Sequence, residues 1–182
     1  MSTPESLQID LEDEFSALTE VYDAADRWLD MPSRYPAAPA VSAWTPAQHL
    51  YHLARTNASM LKAALLLARG EADAKAPALK PAGRRILQTG TIPRGVADAP
   101  DFVRPPESCD DETLRETVDR SRQKFDAVLK CGDALAGAEG GLTHPLWGTL
   151  TAPQWVRAAR IHAQHHLQIA DDIAAEQGRT AP

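Results

Sequence analysis

Four segments of this sequence repeat apolar residues at steps of three and four, and proline- or glycine-rich stretches separate them. That period marks amphipathic helices, each burying one face. The first is predicted from about Glu5 to Asp30, with Leu7, Leu11, Phe15, Leu18, Tyr22, Ala25 and Leu29 on one stripe; Pro32, Pro36 and Pro39 then stop it. The second opens on Thr45-Pro46-Ala47-Gln48, where Thr is an N-cap, Pro fits the first helical position and Gln can close a capping box. It runs to about Arg69, with Gly70 beyond it, and Leu50, Leu53, Met60, Leu61, Ala64 and Leu67 mark its buried side. The third is predicted from Asp111 to Leu135, with Leu114, Val118, Phe125, Val128 and Leu129 on one side. The fourth opens on a second such box, Thr151-Ala152-Pro153-Gln154, and ends near Gln177, before Gly178.

The residue types agree with the period. The chain holds 32 Ala and 19 Leu against 13 Val plus Ile, so helix formers dominate and a β-sandwich or parallel sheet is disfavoured. Its 182 residues are one domain's worth of sequence. The expectation is therefore an all-α four-helix bundle with long crossover loops, residues 1–182 forming one domain. The connection 71–109 is unusually long for a compact domain and holds Pro77, Pro81, Pro93, Pro100, Pro105 and Pro106, with Gly83, Gly90 and Gly95. It reads as a functional lid or a loosely ordered insert. Its Arg84, Arg85 and Arg94 are expected to be solvated, the alternative being a clamp for a carboxylate.

Several function classes drop out. A net charge of −6 and a pI near 5.5 leave no basic stripe for phosphates, so nucleic acid is not an expected partner. No window approaches 18 continuous apolar residues, so no membrane span is expected. Met1 to Asp13 is acidic and polar, unlike a secretory signal. Cys109 and Cys131 form neither a disulfide framework nor a CxxC pair, which fits a reducing cytoplasm.

The informative residues are the histidines, at 49, 52, 144, 162, 165 and 166. His162 and His166 fall on the apolar stripe of the fourth helix, with Trp155, Ala159, Ile169 and Ile173. They point at the bundle core, one turn apart, where two imidazoles can share an ion. A buried imidazole needs hydrogen-bond partners or a metal. His165 lies about 80° off that stripe, bordering a helix interface or solvent. His162-Ala163-Gln164-His165 lacks the Glu of HExxH, so a zincin protease is not supported. A third ligand must come from elsewhere, and the second helix offers His49 and His52. Periodicity prefers His49, nearer the centre of the apolar side, and leaves His52 open.

At these residues the chain resembles the DinB/YfiT-like superfamily of bacterial metal-binding four-helix bundles. The resemblance is carried by Trp44-Thr45-Pro46-Ala47-Gln48-His49-Leu50-Tyr51-His52-Leu53-Ala54 and by His162-Ala163-Gln164-His165-His166-Leu167-Gln168-Ile169. Family members place a ligand eight residues after the Trp, which selects His52. The second stretch selects His162 and His166, although here Gln168 follows the second ligand by only two residues. A finer similarity, to a branch of unknown function, lies in His144-Pro145-Leu146-Trp147-Gly148-Thr149-Leu150-Thr151 with Gln154-Trp155.

The resemblance implies one divalent metal (zinc, nickel or iron) on His52, His162 and His166, with His49 as the fallback ligand and the second and fourth helices facing each other. His49, His144, Trp147 and His165 are the candidates to line a pocket beside it. Trp44 and Trp147 can shape a pocket mouth or anchor helix junctions, and His144 can line the site or cap a turn. Some relatives use such a site to transfer low-molecular-weight thiols such as bacillithiol or mycothiol, and others isomerise thiol adducts. The implied function is a metal-dependent thiol S-transferase or isomerase acting on a small-molecule substrate, with a homodimer as the implied assembly. The alternative is a non-catalytic, stress-linked protein that binds a metal or a small ligand. A metal-free bundle acting in protein interactions fits the histidine motifs least.

Overall fold

The computed structural model describes residues 7–31, 35–95 and 98–182. Helix α1 spans Leu11–Asp30 and α2 spans Pro46–Ala68. Strand β1 (Ala78–Leu79) and helix α3 (Pro81–Thr89) follow, then a 3-10 turn at Asp101–Val103. Helices α4 (Asp111–Leu129) and α5 (Gly132–Ala136) lead to strands β2 (Leu142–His144) and β3 (Gly148–Leu150), and α6 spans Ala152–Glu176. The long helices are the expected four, and the molecule is a mostly helical bundle.

Local chemistry sets their ends. Asp10 accepts hydrogen bonds from the Glu12 and Asp13 amides at 2.9 and 3.5 Å, so α1 begins at Leu11 and residues 7–10 stay non-helical, later than the expected start at Glu5. Glu5 and Pro32 lie outside the described residues. Both Thr-Pro boxes cap as expected: the Gln48 side chain accepts from the Thr45 amide at 2.9 Å, and Gln154 accepts from Thr151 at 3.0 Å. The third expected helix is not continuous to Leu135. Cys131 leaves helical geometry (φ −112°, ψ 18°) ahead of Gly132, a poor helix former, and the short α5 then buries Leu135 completely.

Helix α1 packs on α4 and α6, and α2 packs on the same two, most extensively on α6. The pairs α1/α2 and α4/α6 are thus the diagonals. The abundant alanine finds its use here: Ala54 and Ala64 on α2 and Ala158, Ala159, Ala163 and Ala170 on α6 are completely buried. Small side chains let helix axes approach while Leu50, Leu53, Leu61, Ile161 and Ile173 fill the space between them. Polar ties cross the core as well. The Tyr22 hydroxyl meets Ser121 Oγ at 2.7 Å, and Trp28 Nε1 donates to Asp171 at 3.1 Å.

The 71–109 connection is neither structureless nor loose where described. Strand β1 joins an antiparallel sheet of order β1-β3-β2, in register Ala78↔Thr149 and Leu142↔Leu150. This small sheet is an addition to the expected all-α fold. It exists because Gly148, at φ +94°, lets β1 close in where any Cβ would collide with the Ala78 carbonyl. Helix α3 then rests on the hairpin, burying Ile86 and Leu87. Past it the chain crosses α2: Arg55 donates to Phe102 O at 3.1 Å, and Gln48 donates to Pro106 O and Glu107 O at 2.8 and 3.2 Å.

Candidate metal centre

Helices α2 and α6 bring their histidines together in pairs. His49 Nδ1 lies 2.9 Å from His166 Nδ1, and His52 Nε2 lies 3.2 Å from His162 Nε2. The order 49, 52 against 166, 162 makes the two helices antiparallel. One nitrogen from each of His52, His162 and His166 falls within 4.8 Å of the others, and their ring centroids are 4.5 to 5.0 Å apart. His52 and His166 are buried, whereas His162 keeps part of its surface open although its Nδ1 is sealed. This buried group can hold a metal ion.

The proton positions follow from the partners. His52 Nδ1 lies 2.9 Å from Val103 O, and a carbonyl only accepts, so that nitrogen carries the proton and Nε2 presents a lone pair. His49 Nε2 lies 2.9 Å from Ser42 Oγ. Of the two proton arrangements that the Ser42 hydroxyl allows, one suits a ligand: His166 Nδ1–H donates to His49 Nδ1, His49 Nε2–H donates to Ser42, and His166 Nε2 is left as a lone pair. Carbonyl and hydroxyl partners of this kind orient metal-binding imidazoles.

The pair at 3.2 Å tests whether a cation fits. If His162 carries its proton on Nε2, its Nδ1 becomes a bare lone pair in a buried place with no donor. If the proton is on Nδ1, two lone pairs face each other, which is repulsive without a positive charge between them. Two imidazole nitrogens on one tetrahedral zinc stand about 3.3 Å apart, from zinc–nitrogen bonds near 2.05 Å. The donor set therefore fits a metal.

Burial, ahead of mutual repulsion, holds His162 and His166 well below the usual histidine range. It lowers His52 too, partly offset by the Val103 carbonyl, and lowers His49 to about 3. All are neutral at pH 7, as ligands must be. The unfolded chain takes up protons near pH 6.5 while the folded state resists, so stability falls as pH drops from 6.5 towards 3. Each histidine held neutral contributes a slope of up to about 1.4 kcal/mol per pH unit in that window. Urea midpoints measured from pH 7 to pH 4.5 on metal-free protein are expected to fall steadily, and a flat profile would show that the cluster protonates freely.

The remaining predicted residues divide clearly. His49, the residue periodicity preferred, stands behind His166 as its partner, and the cluster uses His52. His165 is half-buried, edge-on to His166 at 5.0 Å, and outside the cluster. His144 caps the hairpin turn: its Nδ1 accepts from the Leu146 and Trp147 amides, both at 3.2 Å. Trp147 is buried against α3 and stacks on His144 at 4.7 Å. Trp44 covers the site, its centroid 5.1 Å from His52 and 5.4 Å from His49. Arg84 and Arg85 are exposed, while Arg94 pairs with Asp172 at 2.5 Å. Sequence reasoning missed Val103 and Ser42, since a backbone carbonyl and a lone serine leave no periodic signal.

Fold and site together define a helical bundle carrying a buried three-histidine group able to bind metal. The family model described as the DinB superfamily matches residues 13–170, from within α1 to within α6, and the chain belongs to that superfamily. No curated protein and no solved structure matches it.

Proposed function

We propose that this protein is a divalent-metal-dependent enzyme whose three-histidine site handles a low-molecular-weight thiol, in transfer or isomerisation chemistry. The observation that carries the metal is the Nε2 pair of His52 and His162 at 3.2 Å, with the His52 proton committed to Val103. Membership of the DinB superfamily supports the same reading. His52, His162 and His166 would hold the ion. When bound, it supplies Lewis acidity undiminished by its neutral ligands, enough to favour the thiolate form of a coordinated thiol.

The chain's own residues keep the imidazoles neutral and aimed. Val103 O sets the His52 ring, and the His49–Ser42 relay sets His166. Trp44 covers the His49–His52 side. The three-residue group contains no carboxylate. Burial and the neighbouring Asp110 and Asp111 push the Cys109 thiol up to about 11, so this cysteine is no ready nucleophile.

Elemental analysis of untagged protein is expected to find about one zinc, nickel or iron per chain. In cobalt-substituted protein, 2-mercaptoethanol should add a thiolate-to-cobalt charge-transfer band that ethanol does not. A loaded site blind to thiols would leave a non-catalytic metal-binding protein, and a chain that takes up no metal would overturn the site itself.

A further inference from the structure

An imidazole that binds metal through one nitrogen keeps a proton on the other, and a buried N–H needs an acceptor. His52 has Val103 O and His166 has His49 Nδ1. His162 has none: its Nδ1 is buried without a hydrogen-bond partner. Seven residues earlier on α6, about 20° round and about 10.5 Å along, Trp155 stands on the same face. Its Nε1–H is also buried and unpartnered, in a side chain only 6% exposed. The His144 ring lies against it at a centroid distance of 5.6 Å. Because His144 Nδ1 accepts two backbone amides, its proton sits on Nε2.

Three ring N–H groups thus follow one another from the histidine cluster towards the start of α6: those of His162 and Trp155 are buried without an acceptor among the described residues, and that of the partly buried His144 lies at the outer end. On α2, Thr56 lies one turn beyond His52, and its hydroxyl is buried and unpartnered as well. Asn57, whose amide meets the Tyr22 hydroxyl, lies on another face of α2 and takes no part in this row. Unpartnered buried groups are rare in folded proteins, and two ring nitrogens left so on one face of α6, one of them in the histidine cluster, mark a place where a ligand completes them.

We propose that this row binds a small carboxylate-bearing molecule along α6, its carboxylate accepting from Trp155 and His144 and a further acceptor atom meeting His162 Nδ1–H. A row of donors selects an oxygen anion, whereas water brings two protons of its own that need acceptors. The proposal deepens the enzyme reading and rests on it for the His162 proton alone; the Trp155–His144 end stands without it.

The test is a propionate titration of the zinc-loaded full chain with nitrogen-15-labelled indoles, following the Trp155 Nε1–H resonance, assigned by its absence in Trp155→Phe. A saturable downfield shift is expected with propionate and not with propanol or with sodium chloride at equal ionic strength. Trp155→Phe should keep its zinc and bind propionate about tenfold more weakly, as the loss of one hydrogen bond to a charged group implies. No shift of any of the four indole resonances, or an equal shift with propanol, would overturn the proposal, and that outcome is read on wild-type protein alone. Zinc measured on the same samples separates the two readings. Zinc present without a propionate response overturns the carboxylate site; a response in a chain that takes no zinc overturns only the metal enzyme.

Discussion

Replacing His166 with alanine is expected to abolish stoichiometric metal binding while leaving the helical circular dichroism spectrum intact. The site has three imidazoles, and removing one leaves two, a pair that holds a divalent ion poorly. We expect affinity to fall by more than about 100-fold, beyond the range for losing an outer partner. His49→Ala removes such a partner, because His49 touches His166 and Ser42 but is not in the cluster, and should weaken binding about 10- to 100-fold. His165→Ala should cost little, since that ring lies beside His166 and outside the cluster. Competition against a chromogenic chelator measures all three. Full occupancy in His166→Ala, or complete loss in His165→Ala, would show that the cluster is wrongly drawn.

The largest expected effect on stability comes from a residue far from the histidines in sequence. Glu14 on α1 is 4% exposed and lies between two arginines of α6. Arg157 donates to it at 3.0 Å, and Arg160 donates to its other oxygen. Arg157 also donates to Leu87 O at 2.8 Å, tying α3 to the same junction. Truncating Glu14 to alanine strands two guanidinium groups at a mostly buried helix interface. Breaking such a pair costs about 3–5 kcal/mol, which for a chain of this size lowers the melting temperature by about 10 °C. The exposed pair Glu116–Arg120, at 2.8 Å on one face of α4, is the control. Glu116→Ala should change stability by less than about 0.5 kcal/mol. Urea melts of both variants check this, and equal effects would show that the Glu14 junction holds no special share of the stability.

Much of this protein was legible in its residues. Apolar positions at steps of three and four fixed which face of each long helix is buried, because helical geometry is local and repeats every 3.6 residues. Thr45 with Gln48 and Thr151 with Gln154 set two helix starts for the same reason, since a cap is satisfied within one turn. His162 and His166 were placed together by one helix alone. Periodicity preferred His49 on α2, whereas the group whose nitrogens come together contains His52. His49 and His52 are both buried on α2, and only the antiparallel register of α2 on α6 sets His52 against His162 and His49 behind His166. The Val103 carbonyl that fixes the His52 proton, the strand β1 that docks over Gly148, and the Glu14 junction all join residues 50 or more positions apart. Contacts of that range leave no local pattern, so they were decided by how the helices pack.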